Sequence, residues 1–161
     1  MSREEPLLAN DQLRAPSLER LVAKQELMDL KARYFRLLDT KQWVEWAELF
    51  TDDCSMWVED QPEITSSGRD CFVNAIREVL EDATTVHHGH MPELEFDQIS
   101  GPLVSARGIW AMTDFIEIPS SPSPVILRGH GHYHETYRRE PGERWRISSL
   151  RLNRIRVDWD S

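Results

Sequence analysis

The sequence has few cysteines, no long apolar run and no apolar signal core at its start. Among its 161 residues only Cys54 and Cys71 are cysteines, which is too few for a disulfide framework. Both are expected to be free thiols in a reducing compartment. No stretch approaches the ~18 consecutive apolar residues of a membrane-spanning helix, and residues 1–17 lack the apolar core of a secretory signal. We therefore expect a cytoplasmic protein with no membrane partner.

The sequence also lacks an excess of basic residues and several well-known catalytic motifs. It has 19 Lys and Arg against 28 Asp and Glu, a formal net charge of -9. Nucleic acids and anionic membranes both select a basic face, so this balance argues against either as a partner. There is no phosphate-binding glycine loop, no nucleophile elbow and no CxxC pair.

Apolar periodicity predicts a single α+β domain over residues 18–161, preceded by a flexible leader over residues 1–17. A first helix should start near Ser17 and bury the face that carries Leu27, Leu30, Tyr34, Leu37 and Leu38. A shorter helix follows around Trp43–Phe50, and a third follows the turn at Ser66–Gly68. Between them, Cys54–Val58 reads as a short strand.

From Val86 onward the pattern changes to long strands. We predict strands before a Gly101–Pro102 turn, at Val104–Ile118, at Val125–Arg139 and at Trp145–Asp158. Three helices followed by such strands indicate a strongly curved antiparallel or mixed sheet with the helices on its concave face. A cone of this kind leaves a pocket between the sheet and the first helix.

Acid/base residues are distributed over these predicted elements. Tyr34 lies on the apolar face of the first helix and Asp39 near its end, whereas Asp114 interrupts an apolar strand. His87, His88 and His90 crowd the segment in between, where Pro92 favours a bulge, so parity alone does not show which of them faces the pocket. Imidazole, carboxylate and phenol together are typical of proton-transfer chemistry.

Two further groups could contribute to a site. Trp110 and Met112 share the face of Asp114, and Arg154 shares the parity of Leu150 and Leu152 on the last strand. An apolar wall and an arginine of this kind could hold a substrate carbonyl or carboxylate.

The second histidine group competes as a metal site. His130, His132 and His134 alternate on one strand face, a geometry that can bind zinc or iron. The opposite face is more apolar, with Glu135 as its one charge, and should line the interior. We therefore expect these histidines to face solvent or a subunit interface, with no metal and no cofactor.

Several segments together resemble a known family. The opening LKARYFRLLDTKQWVEWAELFTDDC, the segments GRDCFVNAIREVL and TVHHGHMPELEF, and the ending GHYHETYRREPGERWRISSLRLNRIRV resemble the SnoaL-like branch of the nuclear-transport-factor-2-like superfamily. Within it the chain is most similar to scytalone dehydratase and bile-acid 7α-dehydratase. The resemblance covers about residues 21–158 and implies a cystatin-like α+β barrel that assembles as a homotrimer or homodimer.

The resemblance also implies residue roles. Carried over residue by residue, the catalytic set falls on Tyr34, Asp39, His87 and Asp114, with Arg154 matching a last-strand arginine. His87 is preferred to His88 because the family histidine precedes the proline of the next segment by five positions. Tyr133 falls at a substrate-binding position that is polar in scytalone dehydratase, and this difference argues against scytalone as the substrate.

The implied function is a cofactor-independent dehydratase for a β-hydroxy carbonyl compound, with a small apolar or polycyclic substrate. His87, oriented by Asp114, would remove the proton next to the carbonyl, and Tyr34 would stabilise the enolate. The alternatives are an isomerase or polyketide-type cyclase that uses the same pocket, and a non-catalytic domain that binds small ligands.

Overall fold

The computed structural model describes residues 17–58, 66–97 and 102–160. These residues form three helices and six strands. In chain order they are α1 (Leu18–Asp39), α2 (Trp43–Ala47), β1 (Phe50–Val58), β2 (Ser66–Ser67), α3 (Arg69–Leu80), β3 (Thr84–Phe96), β4 (Ser105–Ile118), β5 (Val125–Arg138) and β6 (Arg146–Asp160). The predicted first and third helices and the long strands are confirmed. The second helix ends at Ala47, and Phe50, which was predicted to belong to it, is the first residue of β1, so the strand expected at Cys54–Val58 begins earlier. Of the predicted leader only Ser17 is described, and Gly101 of the predicted turn lies outside the described residues.

Helix α1 begins and ends where its sequence provides the caps. The Ser17 hydroxyl accepts a hydrogen bond from the backbone N–H of Arg20 at 3.3 Å, which satisfies one of the free donors of the first turn. The helix buries the predicted apolar face. After Asp39 the chain leaves the helix through Lys41, whose φ of 58° lies in the left-handed region.

The strands form one mixed sheet in the order β2-β1-β6-β5-β4-β3. Strands β1 and β6 run parallel, whereas the other neighbouring pairs are antiparallel. The strands at the two ends of this order do not pair with each other, so the sheet is open and not a closed barrel. The predicted α+β class and mixed sheet are confirmed.

The two faces of β5 differ as the parity predicts. Residues from Leu127 to Tyr137 at alternate positions are buried, including Glu135, whereas His130 and His134 are exposed and His132 is half-buried. The interior face is therefore the one that carries Tyr133 and Glu135, and the three histidines lie on the opposite face.

A buried ion pair joins α1 to the sheet. The ammonium of Lys31 pairs with the carboxylate of Glu135, and both side chains are at most 1% exposed. The second oxygen of Glu135 accepts a hydrogen bond from the Tyr137 hydroxyl, which accepts one from the Trp110 indole N–H at 2.7 Å. Each charge therefore has a polar partner, as burial of an ion requires.

Within the described ranges, no helix combines the length and the apolar character that crossing a membrane would need.

Candidate active site

A cavity of about 170 Å³ lies between α1, α3 and the inner face of the sheet. Most of its wall is apolar, with Leu38 from α1, Ile76 and Leu80 from α3, and Leu127 from β5 among its residues. Five polar or ionisable side chains also line it: Tyr34, His87, Asp114, Tyr133 and Arg154. An apolar cavity with a few convergent polar groups is the usual form of a small-molecule site.

His87 is held at this cavity by Asp39. Its Nδ1 lies 2.6 Å from Oδ1 of Asp39, and its backbone N–H donates to Oδ2 at 2.9 Å. The sequence-based expectation that Asp114 orients His87 is wrong. Strand pairing does place His87 directly opposite Asp114, but the last residue of α1 reaches β3 and takes the hydrogen bond.

These contacts set the ionisation of Asp39 and the tautomer of His87. Burial opposes the ionised carboxylate of Asp39, but the hydrogen bonds from His87 and Thr85 outweigh it and hold its pKa below the usual value. An ionised carboxylate only accepts hydrogen bonds, so Nδ1 of a neutral imidazole must carry the proton. The tautomer inferred from this network leaves Nε2 with its lone pair free.

Asp114 is engaged by Arg154 and not by a histidine. The guanidinium donates from Nη1 to Oδ1 at 2.9 Å and from Nη2 to Oδ2 at 2.7 Å. This planar, two-pronged geometry is the strong form of an arginine–carboxylate pair. The register between β5 and β6 shifts between His130 and Gly131. His130 pairs with Arg156 and Gly131 with Arg154, so Ile155 lies between the two pairs.

Gly129 leaves the space that this pair occupies. A Cβ atom at Gly129 would lie 1.8 Å from Nη1 of Arg154 and 2.2 Å from Oδ1 of Asp114. Because both atoms belong to one hydrogen-bonded pair, a Cβ atom at this position would have to displace the pair. Glycine is therefore the residue that allows β4 and β6 to join across β5.

Two phenols complete the polar part of the wall. Tyr34 and Tyr133 are both buried, and burial raises the pKa of each well above its usual value. Nζ of Lys31 lies 4.0 Å from the ring centroid of Tyr34 and 3.8 Å from that of Tyr133. The phenols therefore keep their protons at ordinary pH, with a cation packed on both rings.

Some predicted site residues lie elsewhere. Trp110 and Met112 are buried on β4, but neither is among the residues that line this cavity. His88 and His90 are exposed on β3. Among the described residues, no group of three or more His, Cys, Asp or Glu side chains is placed to hold a metal ion.

Three residues of this region were not predicted from the sequence. Thr85 donates a hydrogen bond to Oδ1 of Asp39 at 2.9 Å, and Lys41 donates to the Thr85 hydroxyl at 2.9 Å. Thr85 shares strand parity with His87, and that signal could have identified it. Trp159, which lines the cavity and is 59% exposed, follows the predicted end of the last strand and gave no signal.

Known proteins resemble the chain over most of its length. A curated relative, "Probable cyclase FGR4" from Gibberella zeae, is 27% identical over 134 residues, covering 78% of this chain and 86% of that protein. Among solved structures, a hexachlorocyclohexane dehydrochlorinase (LinA) type 2 superposes with a TM-score of 0.75 at 20% identity, covering 89% of this chain and 93% of that one.

A "Putative Scytalone Dehydratase" from Novosphingobium aromaticivorans superposes with a TM-score of 0.74 at 20% identity, covering 87% of this chain and 89% of that one. At this identity the structural likeness establishes the fold. The sequence model of the SnoaL-like domain family matches residues 19–151 of this chain. This range includes His87, Asp39 and Asp114. The chain belongs to the SnoaL-like family.

Proposed function

We propose that the protein is a cofactor-independent lyase that removes water from a small β-hydroxy carbonyl compound. The observation that carries this proposal is the His87–Asp39 contact of 2.6 Å at the wall of an apolar cavity. With Nδ1 committed to the carboxylate, Nε2 is the nitrogen available to a bound molecule. A neutral histidine whose Nε2 carries a free lone pair can act as a general base.

The reaction divides into two proton transfers. His87 Nε2 takes the proton from the carbon next to the carbonyl, and the electrons of that C–H bond form an enolate. The enolate then expels the β-hydroxyl group as its C–O bond breaks, and the imidazolium returns the proton to give water. Asp39 stabilises the imidazolium in between, and acid–base help of this kind contributes ~10²–10⁴-fold to the rate.

The two phenols and the Asp114–Arg154 pair supply the remaining functions. Tyr34 and Tyr133 keep their protons and can donate to the enolate oxygen as its charge develops. Arg154 and Asp114 neutralise each other, so their place on the wall suits a neutral polar group of the substrate. We assign Asp114 to substrate orientation and not to proton transfer, since both of its oxygens already accept hydrogen bonds from the guanidinium of Arg154.

The size of the cavity supports a small substrate. Its volume of about 170 Å³ is close to the ~150 Å³ of an engineered apolar cavity that binds benzene. A molecule with one ring fits this space better than the polycyclic substrate included in the sequence-based expectation. Assembly as a homotrimer or homodimer stays a prediction.

The names of the relatives favour one second candidate. The curated relative is described as a cyclase, and a polyketide-type cyclisation also begins with proton abstraction next to a carbonyl. The His87–Asp39 pair would serve both reactions, which differ only in the fate of the enolate.

The test is a panel of single-ring β-hydroxy ketones and thioesters, with the conjugated product followed by its ultraviolet absorbance. We expect turnover by the wild type and losses of at least about 10²-fold in His87→Gln and Asp39→Asn. Lys24→Met, an exposed change on the outer face of α1, is the matched control. Equal rates in the wild type and both site variants would overturn the proposal.

A further inference from the structure

A chain of hydrogen bonds extends the His87–Asp39 pair to the protein surface. Nζ of Lys41 lies 2.9 Å from the Thr85 hydroxyl, which lies 2.9 Å from Oδ1 of Asp39. The same oxygen lies 2.6 Å from Nδ1 of His87. Three consecutive hydrogen bonds therefore connect a lysine to the candidate base.

The direction of each hydrogen bond follows from the groups involved. An ammonium only donates, so the Thr85 oxygen accepts from Lys41. The single proton of that hydroxyl is then free for the carboxylate oxygen, which only accepts. Thr85 is thereby fixed as a donor to Asp39, which adds a third hydrogen bond to the two that join the carboxylate to His87.

The backbone at Lys41 is costly for the residue found there. Its φ of 58° lies in the left-handed region, which glycine adopts freely and other residues adopt at a cost of about 1 kcal/mol. Lysine has no side-chain group that relieves this cost locally, unlike asparagine or aspartate. Burial also lowers the pKa of its amine, with Asp39 and Glu81 opposing the shift. A strained, partly desolvated lysine with its amine directed at Thr85 indicates a role other than helix termination.

We propose that Lys41 is a positioning residue for the candidate active site, acting through Thr85 to hold Asp39 against His87. The proposal rests on the proposed function for its effect on rate, but its structural content concerns the His87–Asp39 hydrogen bond alone.

Other ionisable groups act on His87 from the surrounding elements and must be held constant. They are Tyr34 and Asp39 from α1, Asp114 from β4, Tyr133 from β5 and Arg154 from β6. Asp114 and Arg154 form their own pair, and neither phenol ionises at ordinary pH. A change confined to Lys41 leaves all of these groups in place.

The first experiment needs no substrate. The Nδ1–H proton of His87 is observed by proton NMR and assigned by its loss in His87→Gln. We expect a slowly exchanging signal in the wild type and in Lys24→Met, and a shifted, faster-exchanging signal in Lys41→Met and Lys41→Gly. Lys41→Arg, which keeps a donor, should retain most of the wild-type signal. An unchanged signal in both Lys41→Met and Lys41→Gly would overturn the proposal.

The second experiment separates positioning from folding. Lys41→Gly fits the backbone and should unfold at a temperature no lower than Lys41→Met, yet both should lose kcat by about tenfold with little change in KM. A wild-type kcat in Lys41→Gly would refute the role of Lys41. A protein without turnover on any panel compound would refute the proposed function and leave the NMR result standing.

Discussion

Replacing Lys31 by methionine should destabilise the protein strongly at neutral pH. The substitution keeps the length and apolar stem of the side chain but leaves Glu135 buried without its cation, at 0% side-chain exposure. Breaking a buried pair by removing one partner typically costs about 3–5 kcal/mol. The lost contacts of the ammonium with the rings of Tyr34 and Tyr133 add to this cost.

The assay is urea unfolding followed by circular dichroism, with a thermal scan beside it. The thermal unfolding midpoint of a chain of this size falls by about 2–4 °C per kcal/mol of lost stability, so it should fall by roughly 10 °C in Lys31→Met.

A double variant tests whether the missing charge is the cause. Lys31→Met/Glu135→Gln keeps an acceptor for the Tyr137 hydroxyl and removes both charges, so it should recover most of the loss. Lys24→Met on the exposed face of the same helix should change stability by less than about 0.5 kcal/mol. A loss below about 1 kcal/mol in Lys31→Met, or an equal loss in the double variant, would refute the reasoning.

Three further predictions test other parts of the structure. Gly129→Ala should separate Asp114 from Arg154. Because substrate orientation would be lost, activity on the substrate panel should fall by at least about tenfold. Wild-type activity in this variant would refute the steric argument. The pKa of Asp39 is lower in the folded protein than in the unfolded chain, so its contribution to stability is present above about pH 4 and is lost as pH falls further. In acid unfolding, Asp39→Asn should therefore lack the loss of stability that protonation of Asp39 causes in the wild type. Exposed Cys71 should react with a thiol reagent much faster than buried Cys54, whose pKa burial raises to about 11, and equal rates would contradict this placement.

Elements set by local pattern could be predicted from the sequence. The 3.6-residue period of α1 and the alternation along β5 gave both the element and its buried face, because one buried side is enough to fix each register. The parity of β5 also separated Glu135 from His130, His132 and His134. The strand β1 was predicted to begin at Cys54 because the apolar pattern placed Phe50 in the second helix, whereas pairing with β6 extends the strand to Phe50.

The partner of His87 could not be predicted in the same way. Parity and register bring His87 and Asp114 opposite each other, and that pairing is present in the sheet. Which carboxylate reaches the ring depends on where α1 ends against β3 and on Arg154 competing for Asp114, and both are tertiary facts. The contact of Trp110 is also a tertiary fact. Its strand face was predicted correctly, but its indole N–H donates a hydrogen bond to the Tyr137 hydroxyl in the core.

The central claim is that His87, held by Asp39, removes a proton from the carbon next to a carbonyl. Its most direct test is exchange of that proton with deuterium from D₂O in a single-ring ketone that lacks the β-hydroxyl and cannot eliminate water. We predict exchange catalysed by the wild type and by Lys24→Met, and loss of at least about 10²-fold in His87→Gln and Asp39→Asn. Exchange at the wild-type rate in both site variants would contradict the claim.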